Sequence, residues 1–218
     1  MPGYRRIQDL PQVIPVFPLD GALLLPSSEL PLQIFEPRYL NMVDDVMAGD
    51  RIIGMIQTKG GSRARPTLAD VGCAGRVTSF AETSDGRYLI TLTGVCRFDL
   101  GEELMLQTPY RQVRAKYDRY EADLTRDPEI KASAAARTRF ATALKKYLNR
   151  RELDIDWETA NTAPLAALVN SLCMGLPFEA AEKEAFLEAP DLAARFEALT
   201  TLLEIDLSET DDEGSSLQ

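Results

Sequence analysis

The chain predicts an α+β fold: a β-rich first part, curled into a small, strongly curved sheet or pseudo-barrel, followed by a bundle of helices. Three observations carry this. Short apolar segments separated by turn residues fill the chain as far as Tyr117. From Asp127 onward apolar residues recur at helical spacing instead. The charge divides near the same place: residues 1–120 hold 14 basic and 14 acidic side chains, residues 126–151 eight basic and two acidic, and residues 152–218 two basic and sixteen acidic. The formal net charge of −10 therefore belongs to the end of the chain, not to all of it. These shifts predict a β-rich part over 1–120 with one helix at about 36–48, a helical part over 121–207, and a disordered acidic tail over 208–218.

Val13–Phe17 is a short apolar run between prolines and reads as an edge strand, where a missing N–H is tolerated. Gly21–Pro26 and Leu30–Ile34 are further extended segments. Over Glu36–Ala48 the period changes: Tyr39, Leu40, Met42, Val43, Val46 and Met47 form a helical stripe, with Pro37 suited to the first turn and Gly49 to the stop. Ile52–Ile56 is the apolar centre of a buried strand, and Thr58–Pro66 reads as a loop. Gly75–Glu82 and Arg87–Thr93 flank Asp85-Gly86, whose glycine supplies the positive φ of a tight reversal, so a hairpin is expected. Leu89 breaks the alternation of Tyr88, Ile90 and Leu92, which suggests a strand buried on both faces. Val95–Leu100, Leu104–Leu106 and Tyr110–Tyr117 complete the strands.

In the second part, Asp127 and Pro128 suit the start of a helix carrying Ile130, Ala134, Phe140, Ala141, Leu144, Tyr147 and Leu148. A second helix follows Thr162 and stops at Gly175, a third spans about Glu179–Glu188, and a fourth opens at Pro190 with Leu192, Phe196, Leu199 and Leu203 on one side. The basic residues Lys131, Arg137, Arg139, Lys145, Lys146, Arg150 and Arg151 precede strongly acidic helices. Intramolecular charge pairing between them is favoured over a phosphate-binding role.

The chain of 218 residues has no histidine. That excludes a His-dependent triad, a Cys–His pair, His metal ligands and a His proton shuttle. Cys73, Cys96 and Cys173 are widely spaced and form no C-x-x-C, so they read as buried thiols in a reducing cytosol. No apolar run suits a signal peptide or a membrane span, and no phosphate loop of the G-x-x-x-x-G-K-[ST] type occurs. Gly60-Gly61-Ser62-Arg63-Ala64 falls one residue short of a nucleophile elbow and lacks a base. Asp154, Asp156 and Glu158 lack the glycine that would turn a calcium loop, and read as a solvated connector. Asp44 and Asp45, adjacent on one helix, point too far apart to clamp a metal.

One set of motifs points to a family. Phe17-Pro18-Leu19, Leu30-Pro31-Leu32-Gln33-Ile34-Phe35-Glu36-Pro37-Arg38-Tyr39 and Met42-Val43 are followed in fixed order by Arg51–Ile56, Gly72–Val77, Asp85–Tyr88, Leu92–Phe98 and Pro109-Tyr110. Leu176-Pro177-Phe178, Glu182-Lys183 and Leu187-Glu188-Ala189 come last. In this order, over roughly residues 12–205, they resemble the Lon N-terminal, substrate-binding (LON) domain family. The resemblance implies a PUA-like pseudo-barrel followed by a helical bundle, standing alone without the ATPase and peptidase domains. It implies a non-catalytic module that binds unfolded or exposed polypeptide segments, linked to protein quality control, with a protease or chaperone acting in trans. No cofactor, metal or membrane is implied. A homodimer is compatible with it, and the expected location is the cytoplasm. The rival readings are RNA binding by the PUA-like part and a cytosolic hydrolase.

Phe35, Glu36, Arg38, Tyr39 and Arg97 are the candidate binding residues, facing a groove expected between barrel and bundle. Each also has a plain structural reading: Glu36 at the helix start paired with Arg38, Tyr39 packed with a polar tip, and Arg97 bridging the two parts.

Overall fold

The computed structural model describes residues 4–62, 65–124 and 130–215, with side chains described as far as residue 206. Six strands form one sheet: β1 (Val13–Pro18), β2 (Glu29–Ile34), β3 (Ile52–Ser62), β4 (Arg65–Glu82), β5 (Tyr88–Leu104) and β6 (Gln112–Lys116). Their order is β2-β5-β4-β3-β1-β6, and β6 also pairs with β5, so five strands close into a barrel and β2 lies outside it along the first half of β5. All pairs are antiparallel except β1–β3. The α+β class and barrel-then-helices order are as the sequence predicts.

Phe98 fills the barrel interior. Gly54 and Gly72 face it, and a Cβ on Gly72 would stand 2.5 Å from the Phe98 ring. The helix α1 (Pro37–Ala48) has Pro37 in its first turn, stops at Gly49, whose N–H reaches the Val46 carbonyl at 3.1 Å, and buries Tyr39, Met42, Val43 and Val46. That spacing is one face of a 3.6-residue period.

Four details differ from the sequence reading. β1 is not an edge strand: β3 and β6 flank it. Its pairing with β3 begins at Val16, one residue after Pro15, so the missing N–H of Pro15 forfeits no ladder bond there. Gly21–Pro26 forms no strand, although Leu23, Leu24 and Leu25 are buried. Thr58–Pro66 is not a plain loop but the end of β3 and the start of β4, paired through bulges at which Gly60 and Gly61 hold positive φ; residues 63 and 64 lie outside the described residues. Leu89 is exposed rather than buried, because the β2-β5-β4 extension is covered on one face only.

Among the described residues, the helices that follow are α2 (Ala134–Arg150), α3 (Trp157–Thr162), α4 (Leu165–Gly175), α5 (Ala180–Glu188) and α6 (Leu192–Ser215). α2 starts later than Asp127 suggests. Ser133 is its cap, with its hydroxyl accepting from the Ala136 amide at 3.1 Å, and residues 125–129 lie outside the described residues. Asp156 of the acidic connector caps α3 by accepting from the amides of Glu158 and Thr159. α6 continues as helical backbone to Ser215, because extending a formed helix avoids the cost of a new nucleus; residues 216–218 lie outside the described residues.

The chain divides into two compact units. One is Met1–Arg126 with Met174–Leu187; the other is Asp127–Cys173 with Glu188–Gln218. The first unit thus recruits α5. The Gln57 side chain donates to the Ala180 carbonyl and the Glu184 carboxylate at 3.1 and 2.8 Å, and the Lys183 ammonium donates to the Gly21 carbonyl at 2.8 Å. In the second unit the expected charge pairing is present. Arg139 of α2 bonds Glu197 and Glu204 of α6, and Arg151 bonds Asp206. Phe140 and Phe196 stack beneath, with ring centroids 5.2 Å apart.

Candidate functional site

A cleft of about 340 Å³ lies within the first unit. Four segments build it: Pro18 with Leu19 and Asp20 at the end of β1, Arg38 and Tyr39 at the start of α1, Thr58 and Pro66 toward the turn end of the β3–β4 hairpin, and Pro109, Tyr110 and Arg111 entering β6. Three of these ten residues are prolines, which offer shape and apolar surface but no N–H. Leu19 is an exposed apolar side chain at the rim.

Each wall is fixed from behind. Leu19 donates its amide to the Ile56 carbonyl at 3.0 Å, and Asp20 accepts from both the amide and the hydroxyl of Thr58. The Tyr110 hydroxyl donates to Asp45 at 2.6 Å; burial, and then this bond to a carboxylate, pushes its pKa up to about 12. Asp44 accepts similarly from Tyr88 at 2.9 Å, so the two adjacent aspartates serve two separate tyrosines. Arg111 is clamped by Glu103 through two bonds of 2.9 and 2.7 Å, and donates to the Pro66 carbonyl at 2.7 Å. Bonding to Arg111 holds the Glu103 carboxyl below its ordinary range. Arg65 joins the same carboxylate, with Met105, the most exposed of the large apolar residues, against it.

Tyr39 is only 5 % exposed. Its ring tilts against Phe17 at 4.3 Å, and the Arg38 guanidinium lies over its face, 4.5 Å from the centroid. Burial raises its pKa, so the hydroxyl remains a neutral donor. Glu36 pairs with Arg38 at 2.8 Å, both side chains being nearly half exposed. Phe35, just before them, is 62 % exposed.

Of the five candidate residues, Arg38 and Tyr39 line the cleft, Glu36 holds Arg38 from the side, and Phe35 stands next to them in the chain. Arg97 belongs elsewhere. It is 3 % exposed, bonded to Asp123 and to the Leu187 carbonyl, and stacked over Tyr120 at 4.7 Å. It fastens β5 to the 3-10 segment Asp118–Leu124 and to the end of α5, within one unit. The sequence reading missed Pro18, Leu19, Asp20, Thr58, Pro66, Pro109, Tyr110 and Arg111 as site residues. Only Pro18, which ends the apolar run Val16-Phe17, carried a local signal; Pro66 follows Arg65 and Pro109 follows Gln107-Thr108.

Cys96 and Cys173 are pushed up to about 12 by burial, and all three cysteines are buried. Among the described residues no group of three or more carboxylate or thiol ligands could hold a metal. No helix of the described residues is long and apolar enough to cross a membrane.

A small closed barrel carries a proline-walled cleft and is joined to helices. The chain belongs to the family of the ATP-dependent protease La (LON) substrate-binding domain, whose model matches residues 13–204. It is similar to Lon protease 2 of Myxococcus xanthus, 26% identical over 210 residues covering 93% of this chain and 24% of that protein. It also resembles Lon protease 2 of Sorangium cellulosum, 29% identical over 189 residues covering 84% of this chain and 23% of that protein. The chain thus spans about a quarter of the length of these relatives.

Two solved structures share its fold. The Lon N-terminal domain protein from Xanthomonas campestris has a TM-score of 0.61 at 20% identity, covering 87% of this chain and 97% of that one. The N-terminal domain of Mycobacterium avium complex Lon protease also has a TM-score of 0.61, at 17% identity, covering 88% and 98%.

Proposed function

We propose that this chain binds unfolded or exposed polypeptide segments without catalysing their cleavage, and presents them to a protease or chaperone acting in trans. The observation that carries this reading is the cleft: proline-walled, of mixed polar and apolar lining, about 340 Å³, and flanked by the half-exposed Arg38 and the exposed Leu19. A volume of this size takes one or two side chains of an extended segment, with polar groups fixing their orientation. Phe35 adds exposed apolar surface beside it. Arg38 and Tyr39 act as the orienting pair, and Glu36 holds Arg38 in place. Arg97 supports the barrel and does not touch the ligand. Membership of a substrate-binding family supports the reading, as does the absence of histidine from the chain. Three buried cysteines agree with work in a reducing cytoplasm.

The test is direct binding of the purified chain to a panel of permanently unfolded polypeptides, followed by fluorescence anisotropy. Wild type is expected to bind several of them, and Leu19→Asp, which places a charge on the apolar rim, to bind about tenfold more weakly. Absence of binding to the whole panel, or equal binding by Leu19→Asp, would overturn the proposal. Affinity for RNA that falls steeply with salt, in place of polypeptide binding, would overturn it too.

A further inference from the structure

The sulfur atoms of the chain differ sharply in what can reach them. Cys73, Cys96 and Cys173 are buried, and burial raises the pKa of the latter two. A thiol held protonated and away from solvent reacts slowly with oxidants. Met42 and Met55 are buried as well, and Met47 and Met174 partly so. Met105 is the exception among the described residues: it follows β5 directly and is 83 % exposed. A thioether needs no deprotonation to react, so access decides which one an oxidant meets first.

Met105 also has a neighbour able to register the change. Arg65 Nη2 lies 3.9 Å from its Sδ and donates to Glu103 at 3.1 Å. A thioether is a weak acceptor. A sulfoxide oxygen carries partial negative charge, so the same guanidinium would find a far stronger partner there. Glu103 can release Arg65 and stay balanced, because Arg111 holds both its oxygens at 2.9 and 2.7 Å. Arg111 in turn lines the cleft and donates to the Pro66 carbonyl. Met105 and the exposed Leu106 beside it thus form an apolar tip joined through Glu103 to the cleft wall. Oxidation of Met105 makes that tip polar.

We propose that Met105 is a reversible oxidation site, its sulfoxide held by Arg65, that retunes the rim of the cleft. Hydrogen peroxide is the oxidant. The sulfur lone pair attacks one peroxide oxygen and the O–O bond breaks; the leaving hydroxide takes the proton from the transferred oxygen and departs as water. The sulfur loses two electrons and the peroxide gains them. Reduction by a methionine sulfoxide reductase restores the thioether. The effect on the cleft rests on the proposed polypeptide binding; the oxidation and its reading by Arg65 do not.

The test is dilute hydrogen peroxide on the purified chain, followed by peptide mass spectrometry, arginine side-chain heteronuclear NMR and the unfolded-polypeptide assay. Met105 is expected to gain oxygen about tenfold faster than Met42 or Met55, or more. The Arg65 Nε–H signal, assigned by its absence from Arg65→Lys, should shift on oxidation and return after reductase treatment. In Met105→Leu the same peroxide treatment should leave that signal in place. Oxidised wild type should bind unfolded polypeptides about threefold more weakly, while peroxide leaves binding by Met105→Leu unchanged. Oxidation spread evenly over the methionines overturns the proposal, as does an Arg65 signal that ignores the sulfoxide. Unchanged binding after full oxidation of Met105 overturns its role at the cleft. If the reduced protein binds no polypeptide, the proposed function falls, and the mass and NMR measurements still decide whether Met105 is the site.

Discussion

Replacing Asp123 by alanine should destabilise the barrel unit by about 3 kcal/mol, more than any surface substitution in the chain. The Asp123 carboxylate accepts three hydrogen bonds from one residue: the Arg97 amide at 3.0 Å, Nε at 2.8 Å and Nη2 at 2.9 Å. Burial works against the charged form of Arg97, and the bond and charge of Asp123 outweigh it, leaving the guanidinium's pKa above its ordinary value. Without Asp123 the cation stays in place, 3 % exposed and without its counter-ion. Removing one partner of a buried pair costs roughly 3–5 kcal/mol. The Leu187 carbonyl at 3.0 Å and the Tyr120 ring at 4.7 Å still engage the guanidinium, which favours the lower end of that range.

The assay is urea unfolding followed by two signals. Trp157 is the chain's only tryptophan and lies in the helical unit. Six of the seven tyrosines (all but Tyr147) lie in the barrel unit, so near-ultraviolet tyrosine dichroism reports there. Asp123→Ala should move the tyrosine midpoint with little change in slope. The double variant Arg97→Met, Asp123→Leu should recover to within about 1 kcal/mol of wild type, since it removes the charge together with its partner. A loss under about 1 kcal/mol in the single variant, or a double variant as unstable as the single, would refute the reasoning from an uncompensated charge.

Three further outcomes follow from the same structure. Gly94→Ala would set a Cβ 2.1 Å from the Leu25 carbonyl oxygen, a backbone atom that cannot swing away, and should cost about 3 kcal/mol in thermal unfolding; Gly175→Ala, with open space around it, should be neutral or slightly stabilising. Glu103 has its carboxyl depressed by Arg111, so its contribution is present above the unfolded value near 4.5 and is lost as pH falls through the lower folded value. Being partly exposed it is worth under about 1 kcal/mol, and Glu103→Gln should flatten that part of the acid-unfolding curve in the tyrosine signal. Arg139→Ala should lower stability in the Trp157 signal at low salt, with the deficit vanishing in molar salt, because its bonds to Glu197 and Glu204 are exposed.

The elements easiest to read were those whose signals are local. Pro37, the Tyr39–Val46 stripe and Gly49 define α1 within fourteen residues, and Asp85-Gly86 marks a reversal without reference to the rest of the chain. What was illegible depends on distant partners. The place of β1 in the sheet is set by where its register with β3 begins, which Pro15 alone does not reveal. The membership of α5 in the barrel unit rests on bonds from Gln57 and Lys183 that span 127 and 162 residues. The cleft has the same origin. Arg38-Tyr39 stands out in the sequence, but the opposing prolines and Arg111 come from three other segments and acquire meaning only when the barrel closes.

The arginines make the point sharply, because their types are identical and their environments decide their work. Arg97 sits between Cys96 and Phe98 in a strand, which suggested both a bridge and a ligand contact; its donors are consumed by Asp123 and Leu187, and burial leaves no path to a ligand. Arg111 is held at Nε, Nη1 and Nη2 by Glu103 and the Pro66 carbonyl, so it contributes a fixed charge to the cleft rather than a movable hand. Arg38 has one exposed carboxylate partner and an aromatic face beneath it. An ion pair of that kind is worth little to stability, so exchanging Glu36 for a ligand's carboxylate costs little. Of the three, Arg38 is therefore the one free to change partners where it lines the cleft.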